Sequence, residues 1–220
     1  MLSTRVNLRL TSSFAGIIYD HLKKLILDGE LKPNQRITVQ EFAKYFNVSI
    51  PPVREAFQRL LAENYLSSNS TNRNELRVIS LSFDEVNKIF ELTGALDAYG
   101  MRKSLPDFPE KAILELKKMN ETLTEYYKKE HVKSYLKQNL KIHSRIWQTY
   151  DNEYIYQTLV KAQERISLVI GIMPDRFYTP GILKKSHDHH CELMEAIESR
   201  DIERVEEVLR RHWGRDFFVE

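Results

Sequence analysis

Val48-Ser49-Ile50-Pro51-Pro52-Val53-Arg54-Glu55-Ala56-Phe57-Gln58-Arg59-Leu60 reads as a helix with a marked beginning. Ser49 is a good N-cap residue, and Pro51-Pro52 fall in the first turn, where a missing N–H costs no helical hydrogen bond. Val53, Ala56, Phe57, Leu60 and Leu61 then recur at the spacing of one buried face, and the pattern runs to about Glu63. The first turn is small and rigid enough for close backbone approach to a duplex. Arg54, one turn in, is placed to reach a guanine edge or a phosphate, or else to pair at the surface with Glu55 or Gln58.

Upstream, Phe14 to Asp28 carries apolar residues at helical spacing and closes on Asp28-Gly29. Thr38 and Glu41 stand in capping-box register and open a short helix to about Phe46, and Asn47-Val48 breaks it. Downstream, Asn64 to Ser68 and Leu76 to Ile79 are β-prone runs around a polar turn that contains Arg73, which reads as a hairpin. Helix, short helix, tight turn, helix and hairpin is the order of a winged helix-turn-helix, whose third helix enters the major groove. On the wing, Arg73 is either a groove or phosphate contact or an ordinary solvated charge.

A second capping box, Ser82 and Glu85, starts a long helix to about Ser104, so the boundary lies between Ile79 and Phe83. Everything after it is helical, over about 110–129, 132–150, 153–172, 182–199 and 201–218. Pro106, Pro109, Asp151-Asn152, Pro174 and Pro180-Gly181 act as breaks. The expected fold is mostly α: a winged helix-turn-helix over residues 1–80 and an all-helical bundle over 81–220.

Composition agrees with that division. A chain of 220 residues is comfortable for two domains, and 42% hydrophobic with 29% charged residues describes a globular protein. No run approaches the roughly 18 apolar residues of a membrane span, and the N-terminus has no secretory h-region. With Cys191 as its one cysteine, the chain is expected in a reducing bacterial cytoplasm. Seven glycines in the whole chain disfavour sheet-rich folds and Gly-rich phosphate loops. Residues 1–80 carry eleven Lys and Arg against seven Asp and Glu, which suits a front unit that meets a polyanion.

In the back unit, Asn139 and His143 lie four apart on one helix face, His190 sits in the next-to-last helix and His212 in the last. An i, i+4 pair plus one ligand from each of two packed helices is one way to build a metal site inside a bundle. Taken singly, each histidine also fits a surface or hydrogen-bonded core role. Imidazole nitrogens suit a divalent metal, Zn or Ni among them, and open positions would leave room for an effector carboxylate. His187 and His189, beside Ser186 and Asp188, read as surface residues at an exposed helix start.

Ile26 to Ile37, with its Gly29, Leu31 and Pro33, resembles the opening motif of GntR-family regulators. The stretch Val48 to Leu60 is similar to that family's recognition helix, and Asn64-Tyr65-Leu66 stands where the family has Gly-Leu-Val. Where members carry a base- or phosphate-contacting Arg after the N-cap, this chain has Ile50. An upstream contact position is Gln40, and Asn72 or Asn74 replaces the wing glycine. The resemblance implies DNA contacts from Gln40, Ser49, Ile50, Pro51, Pro52, Arg54, Asn72 and Arg73, to an operator that differs from the family's usual one.

Residues 81–215 resemble the FCD ligand-binding domain of FadR-type members, through Asn139 to His143, Asn152, His190 to Ile197, Asp201 and His212. By that resemblance Asn139, His143, His190 and His212 fall on metal-ligand positions, with a neutral Asn where many members have Asp. Thr93 and Asp97 fall on effector-contacting positions, Thr93 where an arginine often stands, with Arg145 or Arg165 as substitutes. The implied protein is a dimeric repressor that reads a pseudo-palindromic double-stranded operator, sits on the nucleoid when bound, and responds to a small carboxylate-bearing effector. Two other readings are a metal-dependent hydrolase or isomerase built on the Asn/His cluster, and the same regulator without metal. No His-Glu-x-x-His or comparable general-base motif supports the enzyme, which would also leave the N-terminal module unexplained.

Overall fold

Three helices in the front of the chain end alike, each on a residue in the left-handed region. The computed structural model describes residues 14–68, 76–172 and 179–214, and its chain divides into two units, Met1–Ser80 and Leu81–Glu220. In the first unit α1 (Phe14–Leu27) closes at Gly29 (φ 70), α2 (Val39–Phe46) at Asn47 (φ 52) and α3 (Ile50–Ala62) at Asn64 (φ 56). After each, the next N–H reaches back across the last turn: Glu30 to Leu25 O, Val48 to Ala43 O and Tyr65 to Leu60 O. Asparagine tolerates this backbone best after glycine. Asn64 therefore serves where the family pattern carries glycine, and Asn34 (φ 60) takes the same backbone in the turn before the first strand.

The capping box of Thr38 and Glu41 closes in both directions, as expected. The sheet has one strand more than the hairpin read from the sequence. The two-residue β1 (Arg36–Ile37) pairs antiparallel with β3 (Leu76–Val78), which also pairs with β2 (Leu66–Ser68), in the order β1-β3-β2. Arg77 on the middle strand donates to Asn34 O at 2.9 Å and ties that turn to the sheet. Leu22, Ile26, Ile37, Val53, Phe57, Leu60 and Val78 are all at most 1% exposed and form the core under α3. Each such side chain contributes about 1.5–3 kcal/mol by burial.

The second unit holds α4 (Phe83–Ser104), a 3-10 turn (Leu105–Asp107), α5 (Glu110–Lys128), α6 (Val132–Trp147), α7 (Glu153–Ile172), α8 (Pro180–Glu198) and α9 (Ile202–His212). α4 packs on α9, α9 on α8, α8 on α5, α5 on α6, α6 on α7 and α7 back on α4, so the principal contacts close a ring of six helices. Trp147, Ile142, Leu116, Met101 and Leu209 fill its interior. Ser82 and Glu85 make the expected capping box.

Three boundaries differ from the sequence reading, and one of them is the end of α9, which stops at His212 with Trp213 as its C-cap rather than near 218. Pro180-Gly181 is not a separator but the first turn of α8, with Thr179 as the N-cap that accepts from Ile182 N, because proline is favoured at that position. α6 stops at Trp147 rather than Tyr150, and Tyr150 N turns back onto Trp147 O instead of continuing the helix. Arg200 takes φ 56 after α8, and its guanidinium holds the carbonyls of Leu105 and Phe108, which anchors the turn before α5.

Candidate functional site

On the outer side of α3, Ile50, Pro51, Arg54, Glu55, Gln58 and Arg59 are exposed, opposite the buried Val53, Ala56, Phe57 and Leu60. Ser49 occupies the N-cap, as expected, but its side chain makes no capping hydrogen bond. The reason is local: a cap hydroxyl accepts from the second or third helical N–H, and those positions are Pro51 and Pro52. The Ser49 hydroxyl is thus exposed and uncommitted beside Ile50 and Gln40, itself exposed on α2. Arg54 makes no ion pair with Glu55 or hydrogen bond to Gln58, or to any other group among the described residues. Arg59 instead lies over the Tyr19 ring at 4.0 Å. Asn72 and Arg73 lie outside the described residues.

The second site is inside the helical ring. His143 from α6, His190 from α8 and His212 from α9 present ligand nitrogens that all lie within 4.8 Å of one another. The ring centroids form a near-equilateral triangle of 5.0, 4.9 and 4.9 Å, and His143 Nε2 stands 3.0 Å from His212 Nε2. Two imidazoles that share one ion at about 2.1 Å have their nitrogens about 3.0 Å apart at a right angle and about 3.4 Å apart at a tetrahedral one, so this pair is close enough to share an ion. The three side chains are 0%, 1% and 5% exposed. His190 has no hydrogen-bond partner at either ring nitrogen, a costly arrangement in a dry core unless something else takes a lone pair.

Burial first, and the neighbouring imidazoles second, hold His190 and His212 well below the ordinary imidazole pKa. Neutral imidazole is the form that binds metal. The donor set, its burial and the orphaned nitrogens of His190 all fit a divalent ion.

Asn139, one turn before His143, is half-buried, and its Nδ2 donates to Ser186 Oγ at 3.1 Å. Ser186 also accepts from Tyr135 OH at 2.9 Å, and burial pushes that Tyr135 hydroxyl above its ordinary range. The structure thus brings three of the four expected ligands together and ties the fourth to Ser186, one turn before His190. The sequence reading took Ser186 as a mark of an exposed helix start, whereas it is buried. His187 and His189 are half-buried rather than surface residues: His187 stacks on Tyr127 at 4.4 Å, and His189 packs edge-on to His212.

The four residues expected to contact an effector lie on α4, α6 and α7. Thr93 is buried, and its hydroxyl bonds back to Ile89 O at 2.8 Å. Arg145 is engaged by Glu115 at 2.7 Å, and Arg165 is half-buried on α7. Asp97 is fully buried: Trp213 Nε1 donates to its Oδ2 at 3.0 Å, Tyr150 OH donates to its Oδ1, and its Oδ2 lies 3.4 Å from His143 Nδ1. The role of Tyr150 and Trp213 was not read from the sequence. Its signal was the spacing Gly94-x-x-Asp97-x-x-Gly100 on α4, because a Cβ at Gly94 would meet Trp213 Cβ at 2.7 Å and one at Gly100 would meet the Tyr150 ring.

Residues 88–215 match the model of the FCD domain, and residues 15–73 match that of the bacterial regulatory proteins of the gntR family. A curated relative, the HTH-type transcriptional regulator YdhC of Bacillus subtilis (strain 168), is 31% identical over 103 residues, 47% of this chain and 45% of that protein. The match therefore spans about half the length of that relative. Among solved structures, E. coli McbR/YncC superposes with a TM-score of 0.72 at 19% identity over 91% of this chain and 93% of that one. A GntR transcriptional regulator from Rhodococcus sp. RHA1 gives 0.73 at 18% identity over 91% and 94%. At these identities the two structures speak to the fold.

Proposed function

The chain belongs to the gntR-family regulators that carry an FCD domain, and from that premise we propose that it is a metal-dependent, effector-responsive repressor of transcription. The family is one of regulators, not enzymes. The observation that carries the metal-dependent reading is the buried triangle of His143, His190 and His212. In this reading those three imidazoles, with Asn139 as the oxygen donor, hold one divalent ion, Zn or Ni. The ion supplies a Lewis acid for an oxygen of an organic-acid effector.

On the DNA side, α3 enters the major groove of a double-stranded operator. Arg54 meets a base edge or phosphate, the Ser49 hydroxyl takes a phosphate, and Ile50, Pro51 and Pro52 allow close approach, with Gln40 alongside. Asn72 and Arg73 belong to the wing in this reading. A homodimer doubles these contacts over a pseudo-palindromic site in the cytoplasm. Effector binding changes operator affinity only through unequal affinity for the DNA-competent and DNA-incompetent states.

The test uses the DNA upstream of the protein's own gene, labelled and titrated with Zn-loaded protein at two salt concentrations. Binding that weakens steeply with salt and exceeds binding to scrambled DNA supports the reading. Equal affinity for both fragments contradicts it.

A further inference from the structure

Asp97 is a fully buried carboxylate whose one ion-pair partner among the described residues is His143. Taking a carboxylate out of water is unfavourable unless every lone pair is matched, so stability alone gives a poor reason for an acid here. Its surroundings are nevertheless built to receive it. Gly94 and Gly100, three residues to either side on α4, remove the Cβ atoms that would collide with Trp213 and Tyr150. Those are the two residues that donate to Asp97 Oδ2 and Oδ1. Tyr150 OH also lies 3.1 Å from the Asp97 backbone carbonyl, which pins it further. Both oxygens are committed, so the carboxylate cannot swing away from the histidine.

That fixed oxygen faces Nδ1 of His143, while Nε2 of the same ring faces His212. A lone pair on Nδ1 would point at a carboxylate oxygen, whereas a proton there is attracted to it. The arrangement favours the Nδ1–H tautomer, which keeps the Nε2 lone pair toward His190 and His212; Nδ1 makes no hydrogen bond, and the Asp97 oxygen acts on it as a charge 3.4 Å away.

We propose that Asp97 is the positioning residue of the metal centre. Clamped by Tyr150 and Trp213, it fixes the tautomer and orientation of His143 so that Nε2 is presented to the ion. The proposal rests on the metal reading of the three histidines and deepens it. Carboxylate partners of ligating histidines act this way generally, and their loss weakens metal affinity about 10- to 100-fold.

The first arm of the test is nitrogen-15 NMR of histidine-labelled, metal-free wild-type protein. The proposal expects His143 as the Nδ1–H tautomer, and an Nε2–H tautomer would overturn it. The second arm measures Zn²⁺ affinity by chelator competition for wild type, Asp97→Asn and Tyr150→Phe. Asp97→Asn is expected to weaken Zn²⁺ binding about 10- to 100-fold while the metal-free melting temperature changes little. Tyr150→Phe, which removes one clamp and keeps the acid, is expected to weaken it less. Equal Zn²⁺ affinity in wild type and Asp97→Asn would overturn the proposal and leave the metal reading standing. A wild type that binds no Zn²⁺ would overturn both. Should Asp97→Asn not fold, the wild-type tautomer and the Tyr150→Phe affinity decide.

Discussion

His143 Nε2 and His212 Nε2 face each other at 3.0 Å, with the two residues only 0% and 5% exposed. Two imidazole nitrogens so placed either share one proton or turn both lone pairs to a common ion. The second state takes up what the first leaves idle, one nitrogen of His190.

Thermal stability of the protein should respond to metal in proportion to this geometry. Zn²⁺ at about 100 times its dissociation constant adds about 2.7 kcal/mol, or roughly 5–10 °C in melting temperature. His190→Ala and His212→Ala should abolish the shift. His187→Ala, which removes a ring stacked on Tyr127 outside the triangle, should keep it. A shift unaltered in His190→Ala would remove that residue from the centre.

Acid should destabilise the metal-free protein. His190 and His212 are held below the ordinary value of 6.5, so the unfolded chain binds more protons than the folded one at pH values under 6.5. Their contribution is complete above that pH and is lost as pH falls, by up to about 1.4 kcal/mol per pH unit for each histidine. Urea midpoints of chelator-treated protein between about pH 7.5 and 5.5 check this. A smaller slope is expected for His190→Gln, and an identical one would contradict the assignment.

Gly100→Ala should destabilise the helical unit. Alanine improves helix propensity by about 1 kcal/mol, but its Cβ would lie within 2.7 Å of three carbons of the Tyr150 ring. Overpacking of this kind costs about 1–3 kcal/mol and would displace the hydroxyl from Asp97. Calorimetry that shows Gly100→Ala more stable than wild type would mean that Tyr150 has another place to go.

Arg54→Ala should weaken binding to the upstream DNA by about 1–3 kcal/mol, roughly 5- to 150-fold at matched salt. Arg59→Ala, whose guanidinium covers Tyr19, should instead act mainly on stability. Unchanged DNA affinity in Arg54→Ala would contradict the docking of α3.

Much of the fold is legible in the sequence, because the signals are local. Both capping boxes, the proline start of α3 and the apolar face from Val53 to Leu60 depend on residues within one or two turns. The three histidines were legible as candidates because they resemble a family pattern, and the helical ring brings them together. What stayed hidden depends on partners far along the chain. A two-residue strand such as Arg36–Ile37 exists only because Leu76–Val78 lies beside it. Ser186 gains its role from Tyr135 and Asn139 across the ring, and Asp97 from Trp213, which is 116 residues away. Ser49 takes the N-cap that the sequence marks, but the prolines that mark the helix start also remove the donors its hydroxyl would cap.

The central claim is that the three histidines hold a metal, and metal analysis of untagged protein tests it most directly. Protein purified without a metal-affinity column, then incubated with Zn²⁺ or Ni²⁺ and desalted, should retain about one ion per chain by mass spectrometry. The double variant His143→Ala, His190→Ala should retain none. An absence of metal in wild type under every loading condition would contradict the account.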